Sequence, residues 1–335
     1  MTAAAQSQKH AVLASARNEG LWLLEWVAYH RAIGFDLVFV ATNDCTDGSD
    51  AMMARLAEMG QIIHLPHTPP PDVPPQVAGC DLALAHPAMT GVDWLLHIDI
   101  DEFLNVTCGS GHIDDLLAVA GHGADCISLT WKMFGSDGRR LWSGGSVLEI
   151  FARTEDHIRR RRLPLGKCLF RPDQFGQVVA HVPKSPRRKD VSLVNSRGEA
   201  LPTDALFSRK IMRHTTAAPR LFTWDNAAIN HYAIRSEDIL LLKNHRRDGL
   251  GMSHTKYFKG SDFWVNADRN EATDTTIQRH LPATKALLAE WRTDPEVARL
   301  EQQAFDAFVR LRQELLLDQG LYGWDAPIPQ ESAAP

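Results

Sequence analysis

Trp94-Leu95-Leu96-His97-Ile98 is an apolar run that opens directly onto Asp99-Ile100-Asp101-Glu102-Phe103. Carboxylates two residues apart offer hard oxygen ligands, which suit Mg²⁺ or Mn²⁺ while the ion also grips substrate phosphates. In an extended chain both side chains point the same way. The carboxyl edge of a parallel sheet is where open α/β folds bind ligands. An acidic turn after a strand accounts for a lone DxD just as well. The buried strand ahead of this one, fourth in its series, favours the metal.

The elements that must position the pair are legible from periodicity. Ala11–Ala16 reads as a buried strand. Asn18 is placed to cap a helix on which Leu23, Trp26, Val27 and His30 share a face, and Gly34 stops it. Leu37–Ala41 is a second strand, Asn43–Ser49 a polar turn capping a helix at 50–59, and Gln61–Leu65 a third strand. Strand–helix–strand–helix–strand in so short a span predicts a parallel sheet. Six prolines in residues 66–77 exclude helix and central strand there. A helix at 79–89 and the Trp94–Ile98 strand follow. Downstream, strands are expected at 127–132, 147–153, 167–170 and 178–181, an irregular loop at 184–226, and helices at 236–247 and 294–320.

With 44% hydrophobic and 23% charged residues among 335, wholesale disorder is excluded. No apolar run reaches the length of a transmembrane segment and no secretory leader is visible. Five scattered cysteines fit a reducing compartment. The expected location is the cytoplasm, with peripheral contact at the inner membrane face left open. Net charge −5 conceals an asymmetry: residues 1–152 carry 7 Lys and Arg against 18 Asp and Glu, and residues 153–256 carry 21 against 10. Either solvated faces or an acidic metal-binding half opposite a phosphate-binding basic half explains this. No aromatics interleave with the basic runs, so nucleic acid is not expected as a partner.

Two enzyme classes place DxD at a strand end. Haloacid-dehalogenase-type phosphatases continue it with Thr or Val on their first strand. Metal-dependent glycosyltransferases place it after several strands, as in this chain. Ala16-Arg17-Asn18-Glu19, Leu24–His30 (LEWVAYH), Gly34, Asn43–Gly48 (NDCTDG) and Asp99–Phe103 together resemble the family 2 type of glycosyltransferases, bacterial branch. The similarity continues through Trp131–Gly138 (WKMFGSDG), Lys167-Cys168, and Asn230-His231-Tyr232 with Ser236 and Lys243. It spans roughly residues 11–250.

The resemblance implies a GT-A fold, with a nucleotide-binding half at about 11–105 and an acceptor half at about 106–250. It leaves a disordered start (1–10), a helical extension (251–323) and a flexible tail (324–335). It also implies a UDP- or GDP-type sugar donor, Mn²⁺ or Mg²⁺, and a glycan or lipid-linked acceptor in surface polysaccharide or glycolipid synthesis. Ala16, Asn18, Glu19, Asn43 and Asp44 are then expected at base and ribose, Asp99 at ribose or metal, and Asp101 at the metal. His231 is expected to join them, and Lys243 and Arg246 to meet the diphosphate. Capping, a satisfied loop histidine and a solvated helix face are the plain alternatives. For the general base, Glu149 on the expected strand and Asp137 in its glycine turn are the rivals. Glu155-Asp156 is accounted for by pairing with the arginines at 159–162. A nucleotidyl- or phospho-transferring enzyme and a non-catalytic nucleotide-sugar-binding protein stand as alternative functions. The absent glycine-rich loop and the intact DxD count against them.

Overall fold

The computed structural model describes residues 8–159, 166–208, 218–246 and 257–319, the side chains of 244–246 and 316–319 excepted. Its first half runs β1 (His10–Ala16), α1 (Gly20–Ala32), β2 (Leu37–Thr42), α2 (Ser49–Glu58), β3 (Ile63–Pro66), α3 (Pro75–Ala85), β4 (Trp94–His97), β5 (Glu102–Val106), α4 (Ile113–Ala120) and β6 (Cys126–Met133). Then come α5 (Val147–Ile150), β7 (Arg153–Thr154), β8 (Gly166–Phe170), β9 (Phe175–Val178), β10 (Pro183–Pro186), β11 (Leu193–Asn195), α6 (Asp204–Phe207) and β12 (Ala227–His231). The chain continues through α7 (Glu237–Arg246), α8 (Asp262–Ala267), β13 (Ala272–Thr273), α9 (Leu281–Trp291) and α10 (Pro295–Gln319).

Among the described residues one nine-stranded sheet dominates, in the order β3-β2-β1-β4-β8-β6-β12-β5 with β11 alongside β6. β8 and β5 run against the rest. This is the expected α/β class, a mostly parallel sheet flanked by helices. The chain builds outward from β1 to β3 and then returns to place β4 on the other side of β1. That reversal leaves a crevice at the carboxyl ends of β1 and β4, the place where open sheets bind ligands. A side chain at Gly79 on α3 would put Cβ 2.7 Å from the Ala41 Cβ on β2, so the helix beside this crevice needs glycine to lie that close. The core joins Trp22, Leu23 and Trp26 of α1 to Trp291 of α9 and Val297, Leu300 and Phe308 of α10.

Several expectations are corrected. Asn18 caps nothing: it adopts φ 54°, and its side chain bridges to Thr46, accepting from the Thr46 N–H at 2.7 Å. Asp47 serves the helix start instead, accepting from Gly20 N–H at 2.9 Å. α3 begins inside the proline-rich stretch, because Pro at the first helical position forfeits no needed donor. Residues 147–150 form a helical turn, not a strand. Ser146 caps it, and the buried Glu25 of α1 accepts from the Val147 N–H at 2.8 Å, a tertiary contact that local β propensity cannot register. The strand expected at 178–181 lies at Phe175–Val178, and the irregular 184–226 stretch contains β10, β11 and α6. Residues 1–7, 160–165, 209–217, 247–256 and 320–335 lie outside the described residues, and with them most of the 1–10 segment expected to be disordered, the arginines at 160–162 and the tail.

Two buried histidines give the fold a pH limit. His30 Nδ1 donates to Trp26 C=O at 2.8 Å while Nε2 faces the Leu104 N–H at 3.4 Å, an arrangement that requires a neutral ring. Burial lowers His30 to about 3 and His97 to about 4. The unfolded chain takes up these protons near pH 6.5, where the native state does not, so stability falls as pH drops through that window. From pH 6.5 to 5 each histidine should cost up to about 2 kcal/mol. Denaturant midpoints at the two pH values should show the decline, and H30F should shrink it.

Candidate functional site

Asp99 and Asp101 do not sit on an extended strand. β4 ends at His97, and Glu102 N–H donates to Asp99 C=O at 3.0 Å, closing a turn into β5. The turn sends the two carboxylates to different partners. Asp99 Oδ1 accepts from Gln76 Nε2 at 2.8 Å and Oδ2 from Lys167 Nζ at 2.9 Å. Lys167 is fully buried and lies 3.3 Å from Glu102 Oε2, which also accepts from Asp99 N–H. Burial opposes ionisation of Asp99, but the Lys167 ammonium outweighs it and holds the carboxyl below its ordinary value. Burial pushes Glu102 up to about 7 against the pull of that same ammonium.

Asp101 faces the other way. Its Oδ2 accepts from Lys243 Nζ of α7 at 2.5 Å, and its Oδ1 lies 3.6 Å from Nε2 of His231. Its carbonyl accepts from Tyr232 N–H at 2.8 Å, which ties the turn to the end of β12. Burial disfavours the charge, but Lys243 first and His231 next hold this carboxyl well below the usual carboxylate range. Arg235 adds a further cation, stacked 4.1 Å over Trp22. The side chain of Arg246, on the same helix as Lys243, lies outside the described residues.

Asp101 and Lys243 open onto a cavity of about 100 Å³. Asn18, Thr46 and Asp47 line one side, and Leu21, Trp22 and Phe308 form an apolar wall. Ala16 ends β1, Asn43 is buried with its amide donating to Asp44 Oδ2 at 2.9 Å, Asp44 adopts φ 47°, and buried Glu19 flanks α1. These four, together with Asn18, lie at the loops after β1 and β2. Trp131, near the end of β6, has its ring centre 4.5 Å from that of His231 in a tilted contact and 5.3 Å from that of His181 edge-on.

Does this donor set suit a divalent cation? Among the described residues no cluster of three or more His, Cys, Asp or Glu is placed to hold one. Asp101 and His231 nevertheless present one oxygen and one nitrogen toward each other, beyond hydrogen-bond length. A pair is adequate for an ion that keeps waters and substrate phosphates in its remaining positions. Asp99 has both oxygens engaged elsewhere, so the fit rests on Asp101 and His231.

The carboxylates singled out as bases lie apart from this cluster. Glu149 sits half-exposed on α5, 2.7 Å from Lys285 Nζ. Asp137 is half-exposed at φ 53°, 4.0 Å from Arg153 Nε. Glu155, which the sequence reading assigned to ion pairing, has a different setting. It is buried at the start of the segment after β7, where it accepts from Met133 N–H at 2.8 Å, and Met133 pairs with His231 across the sheet. Burial pushes its carboxyl up, against that hydrogen bond and Arg159. The Glu-Asp pair itself was the available signal. The arginines offered a competing explanation.

No family model matches the chain. Over 96 residues it is 32% identical to a glycosyltransferase family 92 protein of Ricinus communis, covering 28% of this chain and 16% of the plant protein. The chain therefore matches about a sixth of that relative's length. Among solved structures, S. aureus TarS 1-349 overlaps 93% of this chain and 87% of its own at 13% identity and TM-score 0.36. The glucosyl-3-phosphoglycerate synthase of Mycobacterium tuberculosis, crystallised with Mn²⁺, UDP and glucosyl-3-phosphoglycerate, overlaps 37% of this chain and 44% of its own. Its identity is 16% and its TM-score 0.26. None of the described helices is long and apolar enough to cross a membrane.

Proposed function

We propose that the chain is a GT-A-type glycosyltransferase that moves a sugar from a nucleoside diphosphate to an acceptor hydroxyl, with Mn²⁺ or Mg²⁺ as cofactor. The observation that carries this is the convergence of Asp101 and His231, from two separate strand ends, at the reversal point of a mostly parallel sheet. The local similarity to a family 92 glycosyltransferase supports it.

In this proposal Asp101 and His231 hold the cation, which when bound offsets the charge on the leaving diphosphate. Lys243 of α7 meets the same phosphates. Asp99, fixed by Gln76 and Lys167, accepts from the ribose hydroxyls with lone pairs those donors leave free. Ala16, Asn18, Glu19, Asn43 and Asp44 surround the base. Glu155, whose carboxyl burial makes more basic, takes the acceptor proton, with Asp137 as the alternative. Glu149 does not serve. E149Q should leave turnover within about twofold and stability within about 1 kcal/mol, since it removes only an exposed ion pair. E155Q should lower kcat by about 10²-fold or more. Glycans and lipid-linked glycans are the acceptor classes proposed, at the cytoplasmic face of a membrane.

Thermal unfolding with UDP, GDP and other nucleoside diphosphates, each with and without Mn²⁺, tests the donor site. At about a hundredfold excess over Kd, binding should add about 2.7 kcal/mol of apparent stability, and only with metal. Equal stabilisation without metal would contradict the site.

A further inference from the structure

Lys243 occupies a built position. Its ammonium is 2.5 Å from Asp101 Oδ2 and 3.4 Å from Ala233 C=O, with Tyr257 and Phe263 ring centres at 5.4 and 5.5 Å. Only 16% of the side chain is exposed, against 9% for Asp101. A carboxylate so enclosed already has its counter-ion. A divalent cation placed on Asp101 with the ammonium still in contact brings like charges together at low dielectric, and Arg235 nearby adds to the repulsion. A nucleoside diphosphate reverses that balance, because its phosphate oxygens accept both the cation and the ammonium.

Building on the glycosyltransferase reading above, we propose that Lys243 is the resident counter-ion of Asp101 and gates the metal site. The ammonium holds the carboxylate until donor diphosphate arrives, so metal and nucleotide bind cooperatively and the free protein takes up divalent cation weakly. Lys243 then exchanges its hydrogen bond to Asp101 for one to the diphosphate, keeping its proton, with no covalent bond made or broken. The wall of Tyr257 and Phe263 keeps the side chain beside the site throughout.

Mn²⁺ binding, followed by loss of the free-ion electron paramagnetic resonance signal, tests this without reference to turnover. K243M keeps the aliphatic stem against the two rings, and K243Q provides a second neutral side chain. Without nucleotide, both variants should bind Mn²⁺ about tenfold more tightly than the wild type, within the usual range of coupling between sites. UDP and GDP, tested side by side, should raise Mn²⁺ affinity more in the wild type than in either variant. D101N should abolish binding in every background, locating the signal at this carboxylate. Equal or weaker Mn²⁺ affinity in both variants overturns the gate. If the wild type still binds Mn²⁺ and nucleotide together in that case, the transferase reading survives. Absence of metal–nucleotide binding in every chain removes both.

Discussion

D101N should reduce sugar transfer by about 10³-fold or more, the scale expected when a preorganised charge at the reacting phosphates is lost. Asparagine matches the shape of aspartate and leaves the Tyr232 N–H bond to the main-chain carbonyl in place. The fold should therefore persist, and far-ultraviolet circular dichroism should match the wild type. Metal-dependent stabilisation by nucleoside diphosphate should vanish. The loss should appear in kcat and in metal affinity together, because one side chain serves both. Retention of more than about a tenth of wild-type turnover would remove Asp101 from the chemistry.

K167M should cause the largest loss of stability. Lys167 is fully enclosed and compensates two carboxylates, Asp99 at 2.9 Å and Glu102 at 3.3 Å. Removing one partner of a buried pair leaves uncompensated charge, with a typical cost of about 3–5 kcal/mol. The cost should depend on pH in a defined direction. Glu102 already binds its proton up to about pH 7, above its ordinary value of 4.5, and loses its nearest cation in the variant. Between the unfolded and folded titrations the native state holds more protons, so stability falls as pH rises. Denaturant midpoints should show a smaller deficit at pH 5.5 than at pH 8. Donor affinity should also fall, because Asp99 loses the ammonium that orients it. An unchanged midpoint at pH 8 would contradict the role given to Lys167.

The first hundred residues announced most of the fold. Apolar runs at Ala11–Ala16, Leu37–Ala41 and Trp94–Ile98 are buried strands wherever they occur in a parallel sheet, and their order puts Asp99 and Asp101 at the sheet's carboxyl edge. What local pattern could not register was set by distant partners. Residues 147–150 coil because Glu25, more than a hundred residues earlier, accepts from their amides. β11 joins the sheet against Cys126–Ser128, although its own three residues carry little periodicity. α9 lies inside the helical extension expected at 251–323, but its start and end were not legible; its buried Trp291 face meets α1.

Site residues divided the same way. DxD and His231 were visible as types in sequence blocks, but their divergence into two pairs depends on a turn that extended-chain geometry does not foresee. The charge asymmetry had a local cause in part. Arg188 reaches Asp125 and Arg159 reaches Glu271, so these members of the basic excess answer carboxylates within the fold.

Phosphorus-31 magnetic resonance of the reaction products tests the central claim most directly. UDP- and GDP-sugars incubated with the protein, Mn²⁺ and a panel of glycan acceptors should release a nucleoside diphosphate, with D101N and metal-free samples leaving the sugar nucleotides intact. Release of a nucleoside monophosphate or pyrophosphate, or nucleoside diphosphate release that persists without metal, would contradict it.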